Sequence, residues 1–215
     1  HRLHLGITPC FTPMIPKGDC DPQVAETYQF TPNGEFYDGC FFTDPLILGR
    51  FPDTYRRWFA EYGYDPSPED MAVIKSRFDF FGVNYYEGIY VENTPEGVKK
   101  LPLTPEDRVT AMGWKVTPEG MEYLIRYYYD RYGLPILFGE NGVALAEWKT
   151  LDGNVPDDMR IDFIRRHLEV IGRVSQKYPV IGYFYWSFLD NFEWALGYSK
   201  RFGLVFVDYV TQERI

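Results

Sequence analysis

Cysteine and histidine are scarce, three of each in 215 residues, and basic side chains are outnumbered by acidic ones, 22 to 31. Cys10, Cys20 and Cys40 form an odd set without a Cys-x-x-Cys spacing, which indicates neither a disulfide framework nor a zinc site. Free thiols suit a reducing compartment, so a cytoplasmic setting is expected. His1, His4 and His167 have no ligand spacing, and neither a GxGxxG fingerprint nor a Walker sequence is present. No metal, nucleotide or redox cofactor is therefore expected. His167 reads as a solvated residue on a charged helix face. The net charge of −9 argues against nucleic acid or an anionic membrane as partner, since both call for clustered Lys and Arg. A neutral or cationic ligand fits better. No apolar run approaches the roughly 18 residues that would mark a membrane span. The opening HRLHLGITP has no signal-peptide pattern, and it starts on His1 rather than Met, which leaves the natural start open.

Aromatic residues are abundant: 18 Tyr, 17 Phe and 5 Trp. Such a composition excludes a disordered chain and suffices for one sizeable core or two small ones. Four short apolar runs read as buried strands: Leu3 to Thr8, Phe78 to Tyr85, Pro135 to Phe138 and Val180 to Ser187. Their near-continuous apolarity suits a parallel sheet covered on both faces. Thr117-Pro118-Glu119 reads as a helix start, with Met121, Leu124, Ile125, Tyr128 and Tyr132 at helical spacing and Gly133 as the stop. A second helix, near Asp157 to Tyr178, places Ile161, Ile164, Leu168, Ile171 and Val174 on one face. A third, around Asp44 to Tyr62, is less regular. Alternating strand and helix predicts an α/β fold. The connections Pro9 to Thr43 and Glu87 to Val116 read as long loops, and loops after the strands build the ligand site of a βα barrel.

Chemistry is most concentrated at the predicted strand ends. Glu140, in Phe138-Gly139-Glu140-Asn141-Gly142, follows a buried strand directly, where a carboxylate costs several kcal/mol unless it is paired or used. The same residues also read as an Asn-Gly turn with Glu140 turned to solvent. After the fourth strand come Trp186, Asn191, Glu193 and Trp194. Indole faces can stack on sugar C–H faces and a carboxylate can accept from adjacent hydroxyls, although isolated Trp residues more often pack a core. After the second strand, Asn84 and Tyr86 can orient a neighbouring carboxylate, while Tyr85 reads as an amphipathic rim residue.

The segments FFTDPLILGRFPDTY, FDFFGVNYY, MGWKVTPEGMEYLI, ILFGENG and YFYWSFLDNFEWALGYSKRFGLVFVDY together resemble the retaining β-glycosidases of glycoside hydrolase family 1. The resemblance covers essentially the whole chain. It implies a (β/α)8 TIM barrel, of which residues 1–215 are the C-terminal half, strands five to eight. It implies Glu140 as nucleophile, Tyr86 as its hydrogen-bond partner and Asn84 beside it. Trp186 would lie under the sugar ring, and Glu193 and Trp194 would bind its hydroxyls. Phe202 would close the sugar pocket and Trp114 would line the leaving-group side. Gly139 departs from the family pattern, which usually has Thr or Ser before this Glu.

The family's acid/base sits in an Asn-Glu-Pro segment, and no such segment occurs here. An N-terminal half-barrel is therefore the expected partner, and a β-linked glucoside or galactoside the expected substrate. The 215-residue chain alone is expected to be inactive. A phosphorylated sugar is disfavoured, because Glu193 would repel it. The alternative is a non-catalytic sugar-binding half-barrel.

Overall fold

The computed structural model describes residues 3–18, 20–23, 25 and 40–215. His1 and much of the Pro9 to Thr43 connection lie outside them. Among the described residues the strands are β1 (Gly6–Ile7), β2 (Cys10–Phe11), β3 (Met14–Pro16), β4 (Phe80–Tyr85), β5 (Ile89–Thr94), β6 (Gly97–Lys100), β7 (Ile136–Asn141) and β8 (Val180–Tyr185). The helices are α1 (Cys40–Leu48), α2 (Asp53–Glu61), α3 (Pro68–Ile74), α4 (Glu119–Tyr132) and α5 (Asp158–Val174).

The main sheet is entirely parallel in the order β1-β4-β7-β8, with β2 also pairing with β4. β1 and β2 act as one strand interrupted around Pro9, whose ring nitrogen has no hydrogen to give a ladder. Neighbours in space are neighbours in chain order, with α4 and α5 as crossovers before β7 and β8. That arrangement defines successive βα units.

Alternation along β4 sends Phe81, Val83 and Tyr85 to the helix side. There they join Ile136 and Phe138 of β7 and Met121, Leu124, Ile125 and Tyr128 of α4 in one core. Tyr85 is thus a fully buried core residue and not a rim residue. Its hydroxyl donates to the Thr117 carbonyl and lies 2.9 Å from Thr117 Oγ1. A phenol can be buried here because its one polar atom is satisfied. Thr117 Oγ1 also accepts from Gly88 N at 2.7 Å. The Thr117 side chain thus ties α4 to the end of β4, and Pro118 occupies the cap position. Gly133 ends the helix in the left-handed region, φ 64°, with its N–H on the Tyr129 carbonyl, a conformation that glycine adopts without steric cost.

α5 presents a different face from the one its aliphatic residues suggest. Arg160, Phe163, His167, Val170 and Val174 are buried, whereas Ile161 and Leu168 are 52% and 43% exposed. The buried charge is tolerated because Arg160 donates to both carboxylate oxygens of Glu147, at 2.6 and 2.9 Å, to Asp157, and to Tyr185 Oη at 3.1 Å. His167, expected on the surface, is completely buried between Phe163 and Tyr85. Its Nδ1–H donates to the Phe163 carbonyl at 2.7 Å, and burial pushes its pKa down to about 4. It is a neutral core residue.

The irregular third helix resolves into α1 and α2, followed by α3, which opens on a Ser67/Asp70 capping box. Arg131 and Tyr132 of α4 both bond Asp44 and so fasten α1 to the barrel wall. The stretch expected as a loop from Glu87 to Val116 contains the antiparallel hairpin β5–β6, on which β3 adds in parallel to form a second sheet.

Candidate active site

The carboxyl ends of β4, β7 and β8 converge on Glu140, and a β-bulge decides where that side chain points. Val83 pairs with Phe138, but the next residue, Asn84, pairs with Glu140, so Gly139 is the added residue. β7 is also one residue longer than β8 across this stretch, with Phe138 opposite Tyr183 and Asn141 opposite Tyr185. In a regular strand Glu140 would share the parity of Ile136 and Phe138 and enter the helix-side core. The extra residue reverses that parity and places Glu140 beside Asn84. Bulges commonly re-aim side chains in this way next to active sites.

Tyr86 follows the core residue Tyr85 and takes the opposite side. Its hydroxyl donates to Glu140 Oε2 at 2.6 Å. Burial, then the bond to Glu140, push the Tyr86 pKa up, so the phenol stays protonated and remains a donor. The Tyr86 ring lies 5.2 Å from Trp114 and 5.9 Å from Phe202, and those two rings are 6.2 Å apart. Three aromatic faces thus surround the donor. Phe202 is 3% exposed, and its carbonyl accepts from Ser187 N at 3.1 Å, which joins it to the segment following β8.

Glu193 is half-buried, and its pKa is pushed up by burial and then by the nearby Glu140 charge, with the Trp186 side chain opposing through a hydrogen bond. Its backbone N–H bonds Gly197 O at 2.8 Å and closes the turn that carries Trp194. Trp194 itself is 85% exposed with φ 40°. The structure therefore gathers Glu140, Tyr86, Asn84, Trp114, Phe202, Trp186 and Glu193, and leaves the Trp194 ring outside the group. The loop from Ser187 to Val207 is organised by Asp190, fully buried at its side chain, which accepts from Arg201 Nη1 at 2.5 Å, Gly203 N at 2.9 Å and Val207 N at 3.2 Å.

Several site residues escape a reading of the motifs. Asn141 lies inside β7 with no exposure, not in a turn. It donates to the Tyr85 carbonyl at 2.8 Å and accepts from Tyr183 Oη at 2.9 Å. Gly142 is needed because a Cβ there would collide with the Trp186 carbonyl. Cys10, opposite Asn84 in the ladder, has its thiol pKa pushed up by burial, then by Glu140 and Glu87. All three cysteines are free. Among the described residues Asn84 Oδ1 is buried without a hydrogen-bond partner. No group of three or more His, Cys, Asp and Glu suited to a metal ion occurs among the described residues. Nor is any of their helices long and apolar enough to cross a membrane.

Residues 4–215 match the model of Glycosyl hydrolase family 1, and the chain belongs to that family. It is 39% identical over 184 residues to beta-glucosidase A of Thermotoga maritima, covering 84% of this chain and 41% of that one. It is 36% identical over 197 residues to a bifunctional beta-D-glucosidase/beta-D-fucosidase of Bifidobacterium breve, covering 81% and 43%. The structure of the Thermotoga maritima beta-glucosidase in complex with deoxynojirimycin superposes with a TM-score of 0.83 at 34% identity, over 99% of this chain and 47% of that one. The chain therefore spans less than half the length of the relatives it matches. Its parallel sheet with crossover helices matches part of the barrel of those relatives.

Proposed function

We propose that residues 1–215 form the nucleophile-bearing half of a retaining β-glycosidase acting on terminal β-D-glucosides or β-D-galactosides, and that an N-terminal half-barrel supplies the acid/base glutamate. The observation that carries this reading is the 2.6 Å bond from Tyr86 Oη to Glu140 Oε2. It fixes one carboxylate oxygen and leaves the other for attack. A retaining mechanism needs a second carboxyl about 5 to 5.5 Å away.

In the first step Glu140 attacks the anomeric carbon, a carboxylate C–O bond forms, and the glycosidic C–O bond breaks as its oxygen takes the proton of the partner half's acid. In the second step that same group deprotonates water, which displaces Glu140 and releases the sugar with its configuration retained. Trp186 offers a stacking face for the ring, Glu193 accepts from sugar hydroxyls, and the exposed Trp194 indole is available to donate to another. Asn84 pairs with Glu140 across the β4–β7 ladder and would help hold the strand end that carries the nucleophile. Trp114 and Phe202 flank the Tyr86 ring. The acidic Glu193 disfavours a phosphorylated sugar. Relatives named as beta-glucosidases, and one named as a 1,4-beta-D-glucan glucohydrolase, support the neutral substrate class. Three free thiols accord with a cytoplasmic setting.

A 2-fluoro aryl β-glucoside, incubated with the chain joined to its N-terminal half, is expected to label Glu140, as read by peptide mapping. A label on Glu193 would overturn the assignment. The 215-residue chain alone is expected to turn over an aryl β-glucoside negligibly, because the acid's contribution, about 10² to 10⁴-fold, is missing. Robust turnover by the verified pure chain would refute the division of labour.

A further inference from the structure

Gly139 does not have positive φ, so its backbone conformation does not call for glycine. Space does. A Cβ on Gly139 would overlap the Thr8 Cγ2 methyl outright and stand 2.8 Å from Asn84 Oδ1. On the adjacent strand, a Cβ on Gly82 would overlap Thr8 Oγ1 and come within 2.7 Å of the Ile7 carbonyl. One β-branched side chain, entering just after β1, therefore fills two glycine slots on two neighbouring strands, its hydroxyl over β4 and its methyl over β7. Both substituents sit on one Cβ in staggered positions, so rotation about χ1 cannot vacate one slot without moving the other branch.

The slot over β7 is the bulge itself. Gly139 is the residue that the bulge adds, and Glu140 follows it directly. A bulge without a side chain has no packing of its own to hold it. We infer that Thr8 is a positioning residue for Glu140: its methyl packs into the bulge from two strands away and stands where a side chain on residue 139 would otherwise stand. Thr8 and Gly139 are thus one packing unit in which the bulk sits just after β1 and the vacancy on β7. The catalytic part of this inference rests on Glu140 being the nucleophile, while the packing part does not.

The test is a double-mutant cycle of Thr8→Ala and Gly139→Ser, with Thr8→Val as the shape-conserving control. The urea midpoint is read on the 215-residue chain, and kcat and KM for an aryl β-glucoside on the chain joined to its N-terminal half. Gly139→Ser is expected to lower the midpoint and to lower kcat on the order of tenfold, with KM within about twofold, since small misplacements of reacting groups act on the chemical step. Adding Thr8→Ala should restore both, the non-additivity expected of residues in contact. Thr8→Val keeps both branches and should match the parent. The inference is overturned if Gly139→Ser equals the parent while Thr8 is present, if Thr8→Ala fails to rescue it, or if Gly139→Ser fails to fold in both backgrounds. A parent barrel that does not cleave glycosides would refute the proposed function, and the midpoints would still decide the Thr8 packing.

Discussion

Asn141 Nδ2 donates to the Tyr85 carbonyl at 2.8 Å, and this one bond joins the residue after Glu140 to the residue before Tyr86. The 2.6 Å contact between Tyr86 and Glu140 is therefore braced from the main chain on both sides. Asn141 also accepts from Tyr183 of β8, so three adjacent strands are tied at one level. Replacing it with Ala leaves a buried carbonyl and a buried phenol unpaired, at about 1 to 3 kcal/mol each. Asn141→Ala is expected to lower the urea midpoint clearly and to reduce kcat as well. Asn141→Asp sets a buried carboxylate oxygen against the Tyr85 carbonyl oxygen and should be at least as damaging as Ala.

Tyr86→Phe removes only the hydroxyl that bonds Glu140. A hydrogen bond to a charged group is worth about 1.5 to 3 kcal/mol, so kcat in the assembled barrel should fall about ten- to a hundredfold. KM should change much less and folding hardly at all. An unchanged kcat would show that the bond does not serve the nucleophile.

His167 should give the fold an acid sensitivity. Its folded pKa is about 4 against an ordinary value of 6.5, so the native state favours the neutral ring. The corresponding stability is fully present above pH 6.5 and is lost as pH falls from there toward 4. Over that window the loss amounts to about 3 kcal/mol. Urea midpoints measured from pH 7 to pH 4 should show this decline, and His167→Phe should flatten it.

Glu147→Ala should destabilise more than a surface mutation, because it strips the buried Arg160 of a two-pronged partner 6% exposed at its side chain. Breaking a buried pair on one side costs about 3 to 5 kcal/mol. The double variant Arg160→Met/Glu147→Leu should recover part of the loss, measured by thermal melting.

The strands were legible because β4 and β7 are buried on the helix side and read as apolar runs, and β8, half-buried to exposed, is built from the same residue types. The carboxyl-terminal cluster was legible because its residue types are poorly suited to burial. Periodicity misplaced α5 by one residue around the wheel, because it counts Ile161, Ile164 and Leu168 as core and cannot see that Arg160 is paired with Glu147, Asp157 and Tyr185, or that His167 is buried as a neutral ring with its Nδ1–H on the Phe163 carbonyl. The hairpin β5–β6 was hidden in a Pro- and Gly-containing stretch, although Val91, Asn93 and the Pro95-Glu96-Gly97 turn carried the signal. The parity reversal at Gly139 was illegible, since register shifts arise between strands and leave no mark on one of them.

Lys200 Nζ donates to the Ala111 carbonyl at 2.6 Å, linking the loop that follows β8 to the loop that carries Trp114. Hydrogen bonds between Ala111 N and the Ala144 carbonyl, and between Leu145 N and the Arg201 carbonyl, run alongside it. Under the proposed function these loops would be the sugar-side and leaving-group-side walls, and binding at one should then be felt at the other. Linkage is reciprocal, so a change of leaving group should alter the apparent affinity for the sugar by the same factor that a change of sugar alters affinity for the leaving group. Cutting the tether with Lys200→Met should weaken this coupling without abolishing it, because the two backbone bonds remain.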